Sequence, residues 1–103
     1  MAIGPIENLD EFHKVVNSPV YDIIEFWAAR CDPCTLISPT YVRESDKPEN
    51  VRLQFYRVDT DLVEGAREEA NMPTFIVFHN GKMLHEVVGA KPTELEFMIA
   101  AYA

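Results

Sequence analysis

The sequence is short of positive charge, of long apolar runs and of cysteine. Nine lysines and arginines stand against seventeen aspartates and glutamates in 103 residues, a formal net charge of −8. A chain charged this way is a poor match for nucleic acid or an anionic membrane surface. Its apolar runs fall far below the roughly 20 residues that a membrane-spanning helix needs. The opening Met1-Ala2-Ile3-Gly4-Pro5 has neither the basic nor the apolar segment of a secretory leader, so a cytoplasmic location is the expectation. No internal repeat, linker or low-complexity tract interrupts the chain. Its length is that of one domain, residues 1–103, with enough apolar content (48%) for a real core. Only two cysteines are present, Cys31 and Cys34. In a reducing compartment such a pair is more often catalytic or redox-sensing than a structural staple.

The segments between the breaks alternate in type. Ile3 opens a short edge strand that Pro5 closes. Asn8 with Glu11 resembles a capping box, and Leu9, Phe12, Val15 and Val16 mark one face of a helix to about Asn17. Val20 to Trp27 is apolar on both faces, as a central parallel strand should be. The helix after the cysteines carries Leu36, Ile37, Tyr41 and Val42, and Pro39 should kink it. Val51 to Val58 reads as a strand, and Asp61 with Glu64 caps a short helix that Asn71 ends. Thr74 to His79 is a strand, Asn80-Gly81 is a strong hairpin signal, and Lys82 to Val88 returns antiparallel. Thr93 with Glu96 caps a last helix. The expected fold class is α/β: a mixed sheet of about five strands flanked by four helices.

The chemistry gathers at Cys31-Asp32-Pro33-Cys34, where the central strand gives way to a helix. Unpaired backbone N–H groups and the positive end of the helix dipole favour a thiolate on the first sulfur there. The second sulfur, one turn along, is close enough to close a disulfide. This is a redox pattern. Two bland readings stand beside it, in which the cysteines are small core hydrophobes or half of a zinc site. His13, His79 and His85, the remaining candidate ligands, are scattered without ligand spacing. Glu25 is the second candidate. An acid inside a strand apolar on both faces is costly to leave charged, unless it sits near enough to the strand end to reach solvent.

Glu25-Phe26-Trp27-Ala28, the cysteine pair, Pro33, Pro39, Val58-Asp59, Met72-Pro73-Thr74, Asn80-Gly81 and Gly89-Ala90 together resemble the thioredoxin family over nearly the whole chain. The resemblance implies a thioredoxin-like fold and a protein-disulfide oxidoreductase without a prosthetic group or metal. Cys31 would be the exposed nucleophile and Cys34 the buried resolving thiol. Glu25 matches the family's buried aspartate and would exchange the proton of Cys34. Met72-Pro73 would be a cis bond beside the sulfurs. The surface offered to substrate would comprise Trp27, Arg30, Asp32, Pro33, Met72, Pro73, Gly89 and Ala90. Expected partners are protein disulfides and a thioredoxin reductase as electron donor, acting on a monomer.

Three positions depart from the family. Arg30 stands where a tryptophan is usual, and Asp32 where glycine is. Arg30 should lower the Cys31 pKa and Asp32 should raise it. Phe55 is read at the place of a family lysine beside the buried acid, with Arg57, two residues along on the same face, able to substitute. These changes sustain an alternative reading: a non-catalytic or redox-sensing interaction module that keeps the fold and alters its partner surface.

Overall fold

The computed structural model describes residues 3–63, 65–66 and 72–103. The central strand β2 (Asp22–Trp27) has all but its last residue buried, the outcome expected of a strand covered on both faces. On one side it pairs in parallel with β3 (Gln54–Asp59), which in turn carries β1 (Ile3–Ile6) in parallel. On the other side it pairs antiparallel with β4 (Thr74–His79), which continues to β5 (Lys82–Val88). The sheet order is β1-β3-β2-β4-β5, a five-stranded mixed sheet.

Three helices accompany it among the described residues: α1 (Leu9–Val16), α2 (Asp32–Ser45) and α3 (Pro92–Tyr102). Alternate residues of the strands separate two cores. Ile23, Phe55, Phe75 and Val77 pack with Ile37 and Tyr41 of α2 and with Leu95, Met98 and Ile99 of α3. Ile24, Phe26, Val58, Ile76 and Phe78 pack with Phe12 of α1 on the opposite face. The buried Tyr41 hydroxyl lies 2.6 Å from the Tyr56 carbonyl oxygen, to which it donates, and 3.1 Å from that of Ile23. No helix among the described residues is long and apolar enough to cross a membrane.

The local signals differ in how they fare. At α1 the Asn8 side chain accepts from the Glu11 N–H at 2.9 Å, as the capping box requires, but Glu11 reaches back to the Glu7 N–H rather than to that of Asn8. Asn80 and Gly81 both take positive φ (51° and 82°), the hairpin turn expected of that pair. Their N–H groups donate to Ser18 and Val16 carbonyls, which fastens the hairpin to the turn between α1 and β2. α2 runs from Asp32 to Ser45 with Pro39 inside it. β3 starts at Gln54 instead of Val51, because Pro48–Asn50 forms a 3-10 turn and Asn50 Nδ2 donates to the Glu44 carbonyl at 2.9 Å. α3 starts from Lys91 with Pro92 in its first turn and no side-chain cap, so Thr93 is not its N-cap.

The expected count of four helices is corrected to three among the described residues. Asp61 does not cap a helix. The N–H groups of Leu62 and Val63 turn back to the Asp59 carbonyl, and Gly65 takes φ +87°, which ends any right-handed helix. Glu64, Ala70 and Asn71, the rest of that expected helix, lie outside the described residues.

Candidate active site

The end of β2 and the start of α2 place the two cysteines. Cys31 is the N-cap residue of α2, with extended backbone angles (φ −95°, ψ 103°), and Cys34 lies one turn on. A disulfide joins them in this structure. The Cys34 N–H donates to Cys31 Sγ at 3.2 Å, so an orphan donor of the helix N-terminus points at the first sulfur. Cys31 is partly exposed, whereas Cys34 is 3% exposed. One sulfur can meet a partner and the other cannot.

A cleft of about 370 Å³ beside Cys31 is lined by Ala28, Arg30, Asp32, Pro33 and Met72. Met72-Pro73 is a cis peptide bond. The Pro73 carbonyl accepts from the Gly89 N–H at 2.7 Å, which holds Gly89-Ala90 against the proline. Thr60 Oγ1 lies 3.2 Å from the Trp27 carbonyl and 3.9 Å from Met72 Sδ, linking the end of β2 to the residue before the cis bond. Trp27 lines a different, larger cavity of about 500 Å³ that shares Ala28 with this cleft, together with Cys34, Pro39, Arg43 and Arg57.

Glu25 is 1% exposed, so the reading in which it reaches solvent is overturned. Its register partners are Arg57 on β3 and Phe75 on β4. Phe55 pairs with Ile23 and belongs to the core. The cationic neighbour of the buried acid is therefore Arg57, and Glu25 does not lack one. Arg57 Nε approaches Glu25 Oε1 at 3.5 Å, an ion pair too long for a hydrogen bond, and its guanidinium carbon sits 4.3 Å above the Trp27 ring centroid. Neither carboxylate oxygen of Glu25 has a hydrogen-bond partner among the described residues. Burial pushes the Glu25 pKa up to about 7, against the opposing pull of Arg57. At the other end of β2, Asp22 is also buried, and desolvation raises it to about 6 while Ser18 and His79 pull it back.

Arg30 forms an exposed ion pair with Asp61. Asp61 is itself held by its N–H on Asp59 Oδ1 at 2.9 Å. Arg30 is therefore not a lone cation beside Cys31: Asp61 adds a negative charge that offsets part of what Arg30 lends the sulfur. Sequence reasoning assigned Asp61 to a helix cap and missed this partner. Nothing local marks a contact between residues 31 positions apart. It also missed that Arg57 covers Trp27, although the period-2 alternation that places Arg57 on the Glu25 face could have shown it once the strand register was known.

Comparison with known proteins gives one family. The thioredoxin family model matches residues 5–101. A thioredoxin of Coprinus comatus is 44% identical over 97 residues, covering 91% of this chain and 92% of that relative. The crystal structure of Malassezia sympodialis thioredoxin superposes with a TM-score of 0.92 at 34% identity, covering 97% of this chain and 90% of that one. Plasmodium falciparum thioredoxin does so with a TM-score of 0.89 at 29% identity, covering 97% and 99%.

Proposed function

The chain belongs to the thioredoxin family and is a thiol–disulfide oxidoreductase acting on protein disulfides, and from that premise we propose a division of labour in which Cys31 attacks, Cys34 resolves and Glu25 carries the proton of Cys34. The observation that carries this reading is the pairing of a partly exposed sulfur, held by a helix N-terminal N–H, with a buried one. The Cys31 thiolate attacks one sulfur of a substrate disulfide. That S–S bond breaks, a mixed disulfide forms and the first substrate thiolate leaves. Cys34 then gives its proton to the Glu25 carboxylate, and its thiolate attacks Cys31 Sγ. The second substrate thiolate departs, two electrons have passed to the substrate, and the protein holds the Cys31–Cys34 disulfide. A base with a pKa of about 7 is well matched to a thiol at neutral pH. Since the motif offers no hydrogen bond between Glu25 and Cys34, water is the carrier we assign between them.

The substrate backbone runs in this reading along Met72-Pro73 and Gly89-Ala90 as an extended segment, with Arg30, Asp32 and Pro33 around the sulfur and Trp27 in the neighbouring cavity. The monomer, a cytoplasmic location and an NADPH-linked thioredoxin reductase as donor belong to the same proposal. Its test is dithiothreitol-driven reduction of insulin across pH 6 to 8. Cys31→Ser should abolish turnover. Glu25→Gln should slow it, and should remove the step in the pH profile near 7. An active Cys31→Ser variant would refute the assignment of the nucleophile. An unaltered profile in Glu25→Gln would refute that of the base.

A further inference from the structure

A cavity of about 500 Å³ is lined by Cys34 among others and shares Ala28 with the Cys31 cleft. Its walls are unusual for this chain. The molecule carries a net charge of −8, yet the charged side chains lining the cavity are both cations, Arg43 from α2 and Arg57 from β3. Trp27, Pro39 and Val42 supply apolar surface, and Thr35 and Ser38 offer hydroxyls. Arg57 pairs with Glu25 and carries its guanidinium carbon over the Trp27 ring. Its buried Nε lacks a hydrogen-bond partner among the described residues. An apolar pocket with two guanidinium groups selects a carboxylate on a short apolar stem.

We propose that the Arg43–Arg57 cavity is a substrate subsite that receives an acidic side chain of the protein whose disulfide is being reduced. Position argues for the substrate as occupant: the cavity shares Ala28 with the Cys31 cleft and is lined by Cys34, so it adjoins the place where a substrate chain meets Cys31. Charge argues for an acidic residue, and the lining excludes a basic one. The subsite rests on the disulfide-reductase reading, because it acts on the substrate of that reaction.

The subsite is also linked to Glu25. The charged and titratable groups facing Glu25 among the described residues are Arg57 from β3 and the Tyr41 hydroxyl from α2, while β4 presents Phe75. When Glu25 is ionised it competes with the occupant for Arg57. When Glu25 is protonated, Arg57 is left for the occupant alone. Anion binding therefore favours protonated Glu25, and reciprocally a bound acidic side chain raises the Glu25 pKa.

The chain has a single tryptophan, Trp27, and it lines the cavity, so its fluorescence reports on this site. Benzoate is titrated into the oxidised protein, in which neither cysteine ionises, with benzyl alcohol as the uncharged control. Benzoate should bind at least about fivefold more tightly at pH 6 than at pH 8, the low end of ordinary coupling between linked sites. Arg43→Ala should weaken it, Arg43→Lys should retain part of it, and Glu25→Gln should remove the pH dependence. In the second arm, two disulfide-linked peptides differing only by Glu or Gln three residues from the cysteine are reduced. The wild-type protein should favour the Glu peptide by about threefold in kcat/KM. Arg43→Ala should lose that ratio, and because the ratio is taken within one protein, a general loss of activity cancels. Benzyl alcohol matching benzoate, pH-independent binding, or equal rates for the two peptides would overturn the subsite while leaving the reductase intact. Reduction of neither peptide would overturn both. Benzoate binding as described with no peptide preference would also overturn it, since a free anion and not the substrate would then be the occupant.

Discussion

Replacing Glu25 by glutamine should make the protein more stable at alkaline pH, and the magnitude follows from the site. Glu25 is buried with no hydrogen bond to either oxygen among the described residues, and Arg57, the cation paired with it, is 3.5 Å away. Its pKa is raised from 4.5 to about 7. A carboxyl whose folded pKa lies above its unfolded value loses stability on ionising: the native state holds its proton longer than the unfolded chain does. Below about pH 4.5 both states are protonated and the effect vanishes. Between about pH 4.5 and 7 stability falls by about 1.4 kcal/mol per unit, and above about pH 7 the loss levels off at about 3 kcal/mol. Glutamine keeps the shape and has no charge to bury. Urea unfolding of the oxidised protein at pH 5, 6, 7 and 8 measures the difference, with the slope m checking that the unfolded state is unchanged. The gap between Glu25→Gln and the wild type should be small at pH 5 and widen to about 3 kcal/mol by pH 8. A gap that does not grow with pH would refute the desolvation argument. A flat gap with the wild type the more stable at every pH would show Arg57 winning over burial, with the Glu25 pKa below its ordinary value.

Three further changes probe other parts of the structure. Asp61→Asn frees Arg30 from its ion pair and removes a negative charge near the sulfurs, so the reduced Cys31 thiol should ionise more readily and its alkylation by iodoacetamide at pH 7 should rise, by up to about twofold across solvent-screened distances. A slower alkylation would mean that the pair holds Arg30 closer to Cys31 than it would otherwise lie. Gly81→Ala should cost about 1–2 kcal/mol, because the residue takes φ +82° and a Cβ there would come 2.7 Å from Asn17 Oδ1; an unchanged melting temperature would count against the importance of that turn. Asp32→Gly opens the approach to Cys31 for a partner backbone and should raise turnover with a thioredoxin reductase; equal or lower turnover would remove Asp32 from the list of specificity determinants.

Much of this protein is local enough to be legible in a string of letters. The run from Val20 to Trp27 reads as a strand buried on both faces, since neither of its faces is a polar one to offer water, and the strand forms over Asp22–Trp27. Asn80-Gly81 has to turn, because that pair tolerates positive φ at two successive positions. Two cysteines at the junction of that strand with a helix point to thiol chemistry through the field of the helix end alone. Even the cost of Glu25 could be read, since an acid in such a strand has no neighbour in sequence that could pay for it.

What the tertiary structure decided were the pairings across the chain. Whether Phe55 or Arg57 stands beside Glu25 depends on the β2–β3 register, and a shift of one or two residues changes which side chain meets the acid. Asp61 carries a plausible helix-cap signal, but the Asp59 carbonyl takes the neighbouring N–H groups and the side chain goes to Arg30 instead. The cavity between Arg43 and Arg57 joins a helix to a strand that no short-range pattern relates. Propensity and spacing act over a few residues, and those decided the elements and the place of the sulfurs. The fields acting on Cys31 and Glu25 come from charges brought near by packing, so their balance was settled only when the chain folded.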